Sequence, residues 1–159
     1  MMPIQAPMTA PDSALHFTMI FIDDTELERT LAQRKCIEVL EKSGYSYSMQ
    51  FADNGLDGWN LCNANRFSVY VVDKHMPGMD GIEVCRRILE KDPTAQVILY
   101  TARIADEIKN SIRQTPPPKG VEVIPKNISM LISSLEERLK DFRRSSTAGR
   151  KNSANGEKG

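Results

Sequence analysis

Long apolar segments are missing from this sequence. None of the hydrophobic runs in its 159 residues approaches the roughly 20 residues needed to cross a membrane, and the N-terminus lacks the continuous apolar core of a signal peptide. The three cysteines are an odd number, lie far apart, and form neither a CxxC motif nor a cluster with histidine. These absences predict a cytoplasmic protein with reduced cysteines, and they disfavour a disulfide-stabilised domain or a cysteine-ligated metal.

Net charge is also absent, because 21 basic residues balance 21 acidic ones. The balance is uneven along the chain, since residues 143–159 carry a net charge of +4 and the remainder carries −4. A mildly acidic body predicts that the folded part does not bind nucleic acid. Composition and length predict a disordered N-terminal arm at 1–15, one folded domain at 16–144, and a basic flexible tail or linker at 145–159.

Apolar segments alternate strictly with segments of helical periodicity. The predicted strands are 17–22, 45–51, 69–73, 96–100 and 121–124, and the predicted helices follow at 25–43, 54–62, 80–89, 104–112 and 128–142. Thr25 with Glu28, and Asp80 with Glu83, have the spacing of capping boxes at the starts of the first and third helices. This alternation predicts an α/β fold with a parallel sheet and helices on both faces. The second and fifth strands have the patterns of edge strands, which predicts a flavodoxin-like, doubly wound (βα)5 arrangement with strand order 2-1-3-4-5.

Polar residues follow four of the five predicted strands. Asp23 and Asp24 follow the first, Asp73 ends the third, Thr101 follows the fourth and Lys126 follows the fifth. The carboxyl ends of parallel strands meet at one rim, so these side chains should converge. Three clustered carboxylates repel one another unless a hard cation such as Mg²⁺ neutralises them. The set predicts phosphoryl transfer, with Asp73 as nucleophile and with Lys126 and Thr101 contacting the phosphoryl oxygens.

The motifs behind these strands resemble the receiver domain of two-component response regulators over residues 16–144. They are Ile-Asp-Asp at 22–24, Val-Val-Asp at 71–73, Met-Pro-Gly-Met-Asp-Gly at 76–81, Tyr-Thr-Ala at 100–102, and Lys126. The resemblance implies that Asp73 accepts phosphate from a phosphohistidine on a histidine kinase or phosphotransfer protein. It also implies Mg²⁺ ligands from Asp23, Asp24, Asp73 and the backbone carbonyl of His75.

The resemblance further implies a signalling phosphoacceptor rather than an enzyme, since such a domain catalyses only its own phosphorylation and dephosphorylation. Its downstream protein partner would bind the face formed by the fourth predicted helix, the fifth predicted strand and the fifth predicted helix. No nucleic acid or membrane is expected as a partner within this chain, and a homodimer is compatible with the pattern.

Two positions depart from the usual receiver pattern. Asn127 rather than proline follows Lys126, and Val123 stands where many receivers have an aromatic switch residue. Lys119 is a rival for the phosphate-binding lysine, although Lys126 alone follows an apolar strand directly. These departures leave open an alternative function, a receiver-like protein-binding module that does not use phosphate.

Two further alternatives concern the rim. His75 and Arg103 stand where receivers tune dephosphorylation, but we expect both side chains to face solvent, with only the backbone carbonyl of His75 taking part. A flavodoxin would share the topology, but the Asp23-Asp24 pair would repel the phosphate of its cofactor.

Overall fold

The computed structural model describes residues 3–5, 16–102 and 116–155. They form one six-stranded sheet with helices packed on it. The strands are β1 (Ile4–Gln5), β2 (His16–Ile22), β3 (Ser46–Ala52), β4 (Val69–Asp73), β5 (Val97–Thr101) and β6 (Glu122–Pro125). The helices are α1 (Glu26–Ser43), α2 (Gly55–Ala64), α3 (Gly81–Lys91) and α4 (Ile128–Asn155).

Five of the strands are parallel and lie in the order β3-β2-β4-β5-β6. Counted from β2, this is the predicted order 2-1-3-4-5, so the fold prediction is confirmed. The helix predicted at 104–112 and the residue Arg103 lie outside the described residues. Within the described part of the chain, no helix is both long enough and apolar enough to span a membrane.

The two ends of the chain differ from the sequence-based prediction. Ile4–Gln5, inside the arm predicted to be disordered, forms β1, which pairs antiparallel with β3. Ile4 is half-buried against the hydrophobic core, and this contact favours the pairing. The last helix runs to Asn155 rather than ending at 142, so residues 145–155 of the predicted tail are helical. No proline interrupts that segment, and Ala, Arg and Lys are good helix formers.

Two hydrophobic cores lie on opposite faces of the sheet, and β4 contributes to both. Val69 and Val71 belong to the core formed with α1 and α4, whereas Tyr70 and Val72 belong to the core formed with α2 and α3. All five residues of β4 and all five of β5 are buried. The three cysteines are free and buried in these cores, as predicted, and burial raises the pKa of each thiol to about 12.

Two capping boxes are expected at helix starts next to the rim, and one does not form while the other forms only in part. The Thr25 hydroxyl makes no cap hydrogen bond and lies 3.5 Å from Asp24 Oδ1, so the capping box predicted for α1 is wrong. Asp80 does cap α3, since its Oδ1 accepts a 2.8 Å hydrogen bond from the backbone N–H of Ile82. Its predicted capping partner, Glu83, instead forms ion pairs with two arginines of α3.

Candidate functional site

The end of β2 places Asp23 inside the rim. The Asp23 backbone N–H donates to the carbonyl of Ala52 at 3.0 Å, which extends the β2 and β3 pairing by one residue. Arg29, on the first turns of α1, donates from Nη1 to the carbonyl oxygen of Asp23 at 2.6 Å. The Asp23 carboxylate also accepts the Thr25 backbone N–H at 2.9 Å. The fully buried Asp23 is therefore fixed on both its main chain and its side chain.

The end of β4 places Asp73 beside it, and a glycine makes this position possible. A Cβ atom on Gly81 would lie only 2.0 Å from the carbonyl oxygen of Asp73, so α3 must begin with glycine to approach so closely. The Gly81 backbone N–H donates to the carbonyl of Lys74 at 3.0 Å. The chain between β4 and α3 is thus folded tightly back, and the Asp73 carboxylate accepts a hydrogen bond from the backbone N–H of His75.

Lys126 reaches the two buried aspartates from the far side of the rim. Its backbone N–H donates to the carbonyl of Thr101 at 2.7 Å, which holds the end of β6 against the end of β5. Its Nζ lies 2.9 Å from Asp23 Oδ2 and 3.6 Å from Asp73 Oδ1. Lys119, the rival lysine, is exposed in the turn before β6. The structure therefore brings Lys126, and not Lys119, to the two aspartates. The peptide bond between Lys126 and Asn127 is trans.

Three carboxylates form a cluster at the rim. One oxygen each from Asp23, Asp24 and Asp73 lies within 4.8 Å of the others. Asp23 and Asp73 are buried, while Asp24 is exposed at the mouth of the cluster. Oxygen donors of this charge and spacing suit Mg²⁺, which favours carboxylates and retains several waters. These three residues could hold the metal.

Electrostatics make the cluster unfavourable when it holds no cation. Burial raises the pKa of Asp73 to about 7, the negative charges of Asp23 and Asp24 add to the rise, and Lys126 opposes it. Burial alone would lower the pKa of Lys126, but its hydrogen bond to Asp23 and the two carboxylate charges leave the pKa above its ordinary value. One lysine therefore does not neutralise three carboxylates, and a divalent cation would complete the balance.

Thr101 brings a hydroxyl group that lacks a partner among the described residues. The residue is fully buried at the end of β5, directly after the residue that pairs with Asp73. Its Oγ1 has no hydrogen-bond partner within the described ranges. A buried hydroxyl without a partner destabilises a protein by about 1–3 kcal/mol. An acceptor oxygen arriving at this rim would satisfy the hydroxyl, which fits a phosphoryl group bound to the neighbouring aspartate.

All five residues predicted for the site therefore lie at one rim, with His75 in the loop beside them. The His75 side chain is exposed, and its backbone N–H rather than its carbonyl contacts Asp73 in this structure. The carbonyl ligand stays a prediction. Sequence reasoning missed Arg29 and the close approach of Gly81, since neither residue belongs to a periodic pattern or follows a strand.

Comparison with known proteins decides the family. The profile of the response regulator receiver domain matches residues 19–130, which is more than half of the chain. This chain belongs to the response regulator receiver domain family. Membership implies a phosphoacceptor role in two-component signalling.

Among curated relatives of this receiver, the response regulator receiver protein CpdR of Brucella abortus is 31% identical over 117 residues, covering 74% of this chain and 91% of CpdR. The transcriptional regulatory protein CseB of Streptomyces avermitilis is 33% identical over 90 residues, covering 57% of this chain and 35% of CseB. The chain thus spans nearly all of one relative and about a third of the other.

Solved structures show the same receiver fold. A CheY-like response regulator receiver domain protein from Methanospirillum hungatei matches with a TM-score of 0.61 and 18% identity, covering 81% of this chain and 98% of that one. A two-component transcriptional regulator AraC from Clostridium phytofermentans matches with a TM-score of 0.64 and 19% identity, covering 80% and 96%. At these identities the likeness concerns the fold alone.

Proposed function

We propose that Asp73 accepts a phosphoryl group from a phosphohistidine of a histidine kinase or phosphotransfer protein, with Mg²⁺ held by Asp23, Asp24, Asp73 and the backbone carbonyl of His75. One observation carries the proposal. A single ammonium group, Lys126 Nζ, lies within 4 Å of two buried carboxylates, 2.9 Å from Asp23 and 3.6 Å from Asp73, at the carboxyl ends of the strands. Ligands of doubly wound sheets bind at that rim.

Each residue at the rim has a distinct role in this transfer. An ionised Asp73 oxygen attacks phosphorus, the new O–P bond forms as the P–N bond to imidazole breaks, and the departing nitrogen keeps the electron pair and takes a proton from solvent. Lys126 offsets charge on the phosphoryl oxygens, and the Thr101 hydroxyl donates a hydrogen bond to one of them. Bound Mg²⁺ would neutralise the carboxylates and offer coordination positions to phosphoryl oxygen.

The same chemistry defines the proposed partners and place of action. The donor must be a protein that presents a phosphohistidine, and the chain itself acts as a signalling phosphoacceptor that catalyses only its own phosphorylation and dephosphorylation. Buried, free cysteines agree with action in the reducing cytoplasm. The downstream partner would be a protein bound at the face that includes β6 and α4, where Val123 and Met130 are exposed apolar residues.

Phosphorylation with a small phosphodonor tests the acceptor assignment. The protein is incubated with acetyl phosphate and Mg²⁺, and intact mass with peptide mapping locates the modified residue. We expect one phosphoryl group on Asp73 in the wild type and none in Asp73→Asn. The matched control is Asp53→Asn, which alters an exposed aspartate directly after the neighbouring strand β3 and should leave labelling unchanged. Equal labelling of Asp73→Asn and wild type would disprove the assignment.

An exposed valine supports a second candidate function, a receiver-like binding module that does not use phosphate. Val123, which replaces the aromatic switch residue, is 37% exposed on β6. A valine offers no large ring to move between buried and exposed positions, so coupling from Thr101 to this face would need another route. Equal affinity for the downstream partner with and without phosphodonor would support this second function, whereas a several-fold change would support the first.

A further inference from the structure

The outer edge of β3 lacks most of the features by which proteins prevent sheet edges from pairing with other chains. Its sequence, Ser-Tyr-Ser-Met-Gln-Phe-Ala, contains no charged residue and no proline. The strand is regular, since all seven residues pair in continuous register with β2. Natural edge strands are usually protected by charges, proline, bulges, shortness or a covering segment. Within the described part of the chain, β3 has only the last of these, a covering segment.

The opposite edge of the same sheet is protected by its own chemistry. β6 has only four residues, begins with Glu122 and ends with Pro125. Proline has no N–H to donate, and a charged residue disfavours a second strand alongside. The two edges of this sheet therefore differ, because the residues of β6 protect its edge and those of β3 do not.

The segment that covers β3 is small. Among the described residues of the N-terminal arm, β1 pairs two residues with β3, with Ile4 opposite Met49 and Gln5 opposite Ser48. Ile4 is half-buried against the core cluster that includes Met49. A two-residue pairing makes few backbone hydrogen bonds, so a longer strand that makes more of them can displace it. The pairing also shows that this edge accepts an antiparallel strand at its centre.

We propose that the outer edge of β3 is a pairing surface for β3 of a second copy of this chain, and that Ile4–Gln5 competes for it. Antiparallel pairing about a two-fold axis at Met49 places Tyr47 opposite Phe51 of the second copy and Ser48 opposite Gln50. Aromatic and polar cross-strand pairs of this kind are favourable, and no like charges meet. The five parallel strands of each copy then form one continuous sheet.

The composition of the strand favours a second copy over other extended partners. Because β3 carries no charge, it gains nothing from an acidic or basic peptide, whereas its own sequence is self-complementary in the register given above. A closed two-fold pairing also consumes both free edges, so assembly stops at a dimer. The inference does not depend on the phosphoacceptor role of Asp73.

Variants that displace β1 in the full-length chain test the proposal. Ile4→Asp places a charge against Met49 and should uncover the edge, and deletion of residues 1–5 should do the same. Ile4→Val is the matched control, since it keeps an apolar β-branched residue in β1. Size-exclusion chromatography with light scattering over a concentration series measures the mass, and far-UV circular dichroism verifies folding. We expect the mass to double for the two uncovering variants relative to Ile4→Val.

A charge placed on β3 itself then locates the interface. Gln50→Lys, added to Ile4→Asp, introduces the kind of residue that protects natural edges, and we expect the mass to fall back to that of the control. Hydrogen exchange of residues 46–52 should be slower in the doubled species than in this double variant.

Four outcomes would overturn the proposal. Folded uncovering variants with the mass of the control would show that the free edge does not pair. A doubled mass that Gln50→Lys fails to lower would place the interface elsewhere. Loss of folded structure in both uncovering variants would make β1 an integral strand rather than a competitor. A folded, monomeric Ile4→Asp that binds extended peptides of unrelated sequence would assign the edge to a different partner.

Discussion

Replacing Asp73 with asparagine is expected to stabilise the metal-free protein above neutral pH. Burial and the charge of Asp23 raise the pKa of Asp73 from an ordinary 3.8 to about 7, despite the opposing charge of Lys126. Each tenfold change in proton affinity corresponds to about 1.4 kcal/mol, so ionising this carboxyl in the folded state costs on the order of 4 kcal/mol relative to the unfolded chain. Asparagine keeps the shape without the charge.

The effect has a definite pH dependence. Below about pH 4 the carboxyl is protonated in both the folded and the unfolded state, so the substitution should change stability little. Between pH 4 and 7 the folded state binds more protons than the unfolded state, so wild-type stability falls as pH rises. Above pH 7 the carboxylate is ionised in both states and the full penalty applies. The advantage of Asp73→Asn should therefore grow from near zero at pH 4 to about 2–4 kcal/mol at pH 8.

Urea unfolding in EDTA at both pH values measures this difference, and thermal unfolding should show a rise of roughly 5–15 °C at pH 8. Asp53→Asn serves as the control, because surface substitutions normally change stability by less than about 0.5 kcal/mol. Mg²⁺ should stabilise the wild type by about 2.7 kcal/mol at a hundredfold excess over its Kd, and should stabilise Asp73→Asn far less. An Asp73→Asn protein no more stable than wild type at pH 8 would refute the electrostatic reasoning.

Three further substitutions probe the rim. Gly81→Ala should destabilise the protein by more than about 2 kcal/mol in urea unfolding, because its Cβ would lie 2.0 Å from the carbonyl oxygen of Asp73. Gly44→Ala is the control, since Gly44 has a φ of +79° and open space around it, and its free energy of unfolding should fall by only about 1–2 kcal/mol. Equal losses of stability would contradict the packing argument. Lys126→Met should destabilise the metal-free protein by about 3–5 kcal/mol at pH 8, since it leaves a buried carboxylate unpaired. If bound Mg²⁺ replaces the ammonium group, the loss of stability measured with Mg²⁺ present should be smaller. Thr101→Val should stabilise the metal-free protein by about 1–3 kcal/mol, because it removes a buried hydroxyl that has no partner among the described residues. The same substitution should slow labelling by phosphodonor, and unchanged labelling would argue against the proposed role of the hydroxyl.

The arrangement of the parallel strands could be predicted because burial determines their composition. β4 and β5 are buried on both faces and are apolar throughout until they reach the rim, whereas β3 and β6 show the mixed patterns of edge strands. Once the order is known, the carboxyl ends bring Asp23, Asp73 and Lys126 together without further information. The site thus follows from topology and from the positions at which apolar runs end.

Other features could not be predicted because they depend on contacts rather than on pattern. A two-residue strand such as β1 has no measurable period, and its position depends on the free edge of β3. The capping box expected from Thr25 and Glu28 does not form, since the Thr25 backbone N–H binds Asp23 instead. Arg29 looks like an ordinary surface residue of a helix, although its guanidinium holds the carbonyl of Asp23.

Burial of β4 in both cores explains how the fold keeps an unfavourable carboxylate in place. A shift of this strand by one residue would exchange Val69 and Val71 for Tyr70 and Val72 between the two cores, so the register is held from both faces. Gly81 then fixes the carbonyl of Asp73 against the start of α3. Asp73 is therefore held in a buried position, where burial and the charges of Asp23 and Asp24 raise its pKa to about 7. The penalty calculated for Asp73 is a consequence of this confinement, and the same confinement would favour binding of Mg²⁺ at the rim.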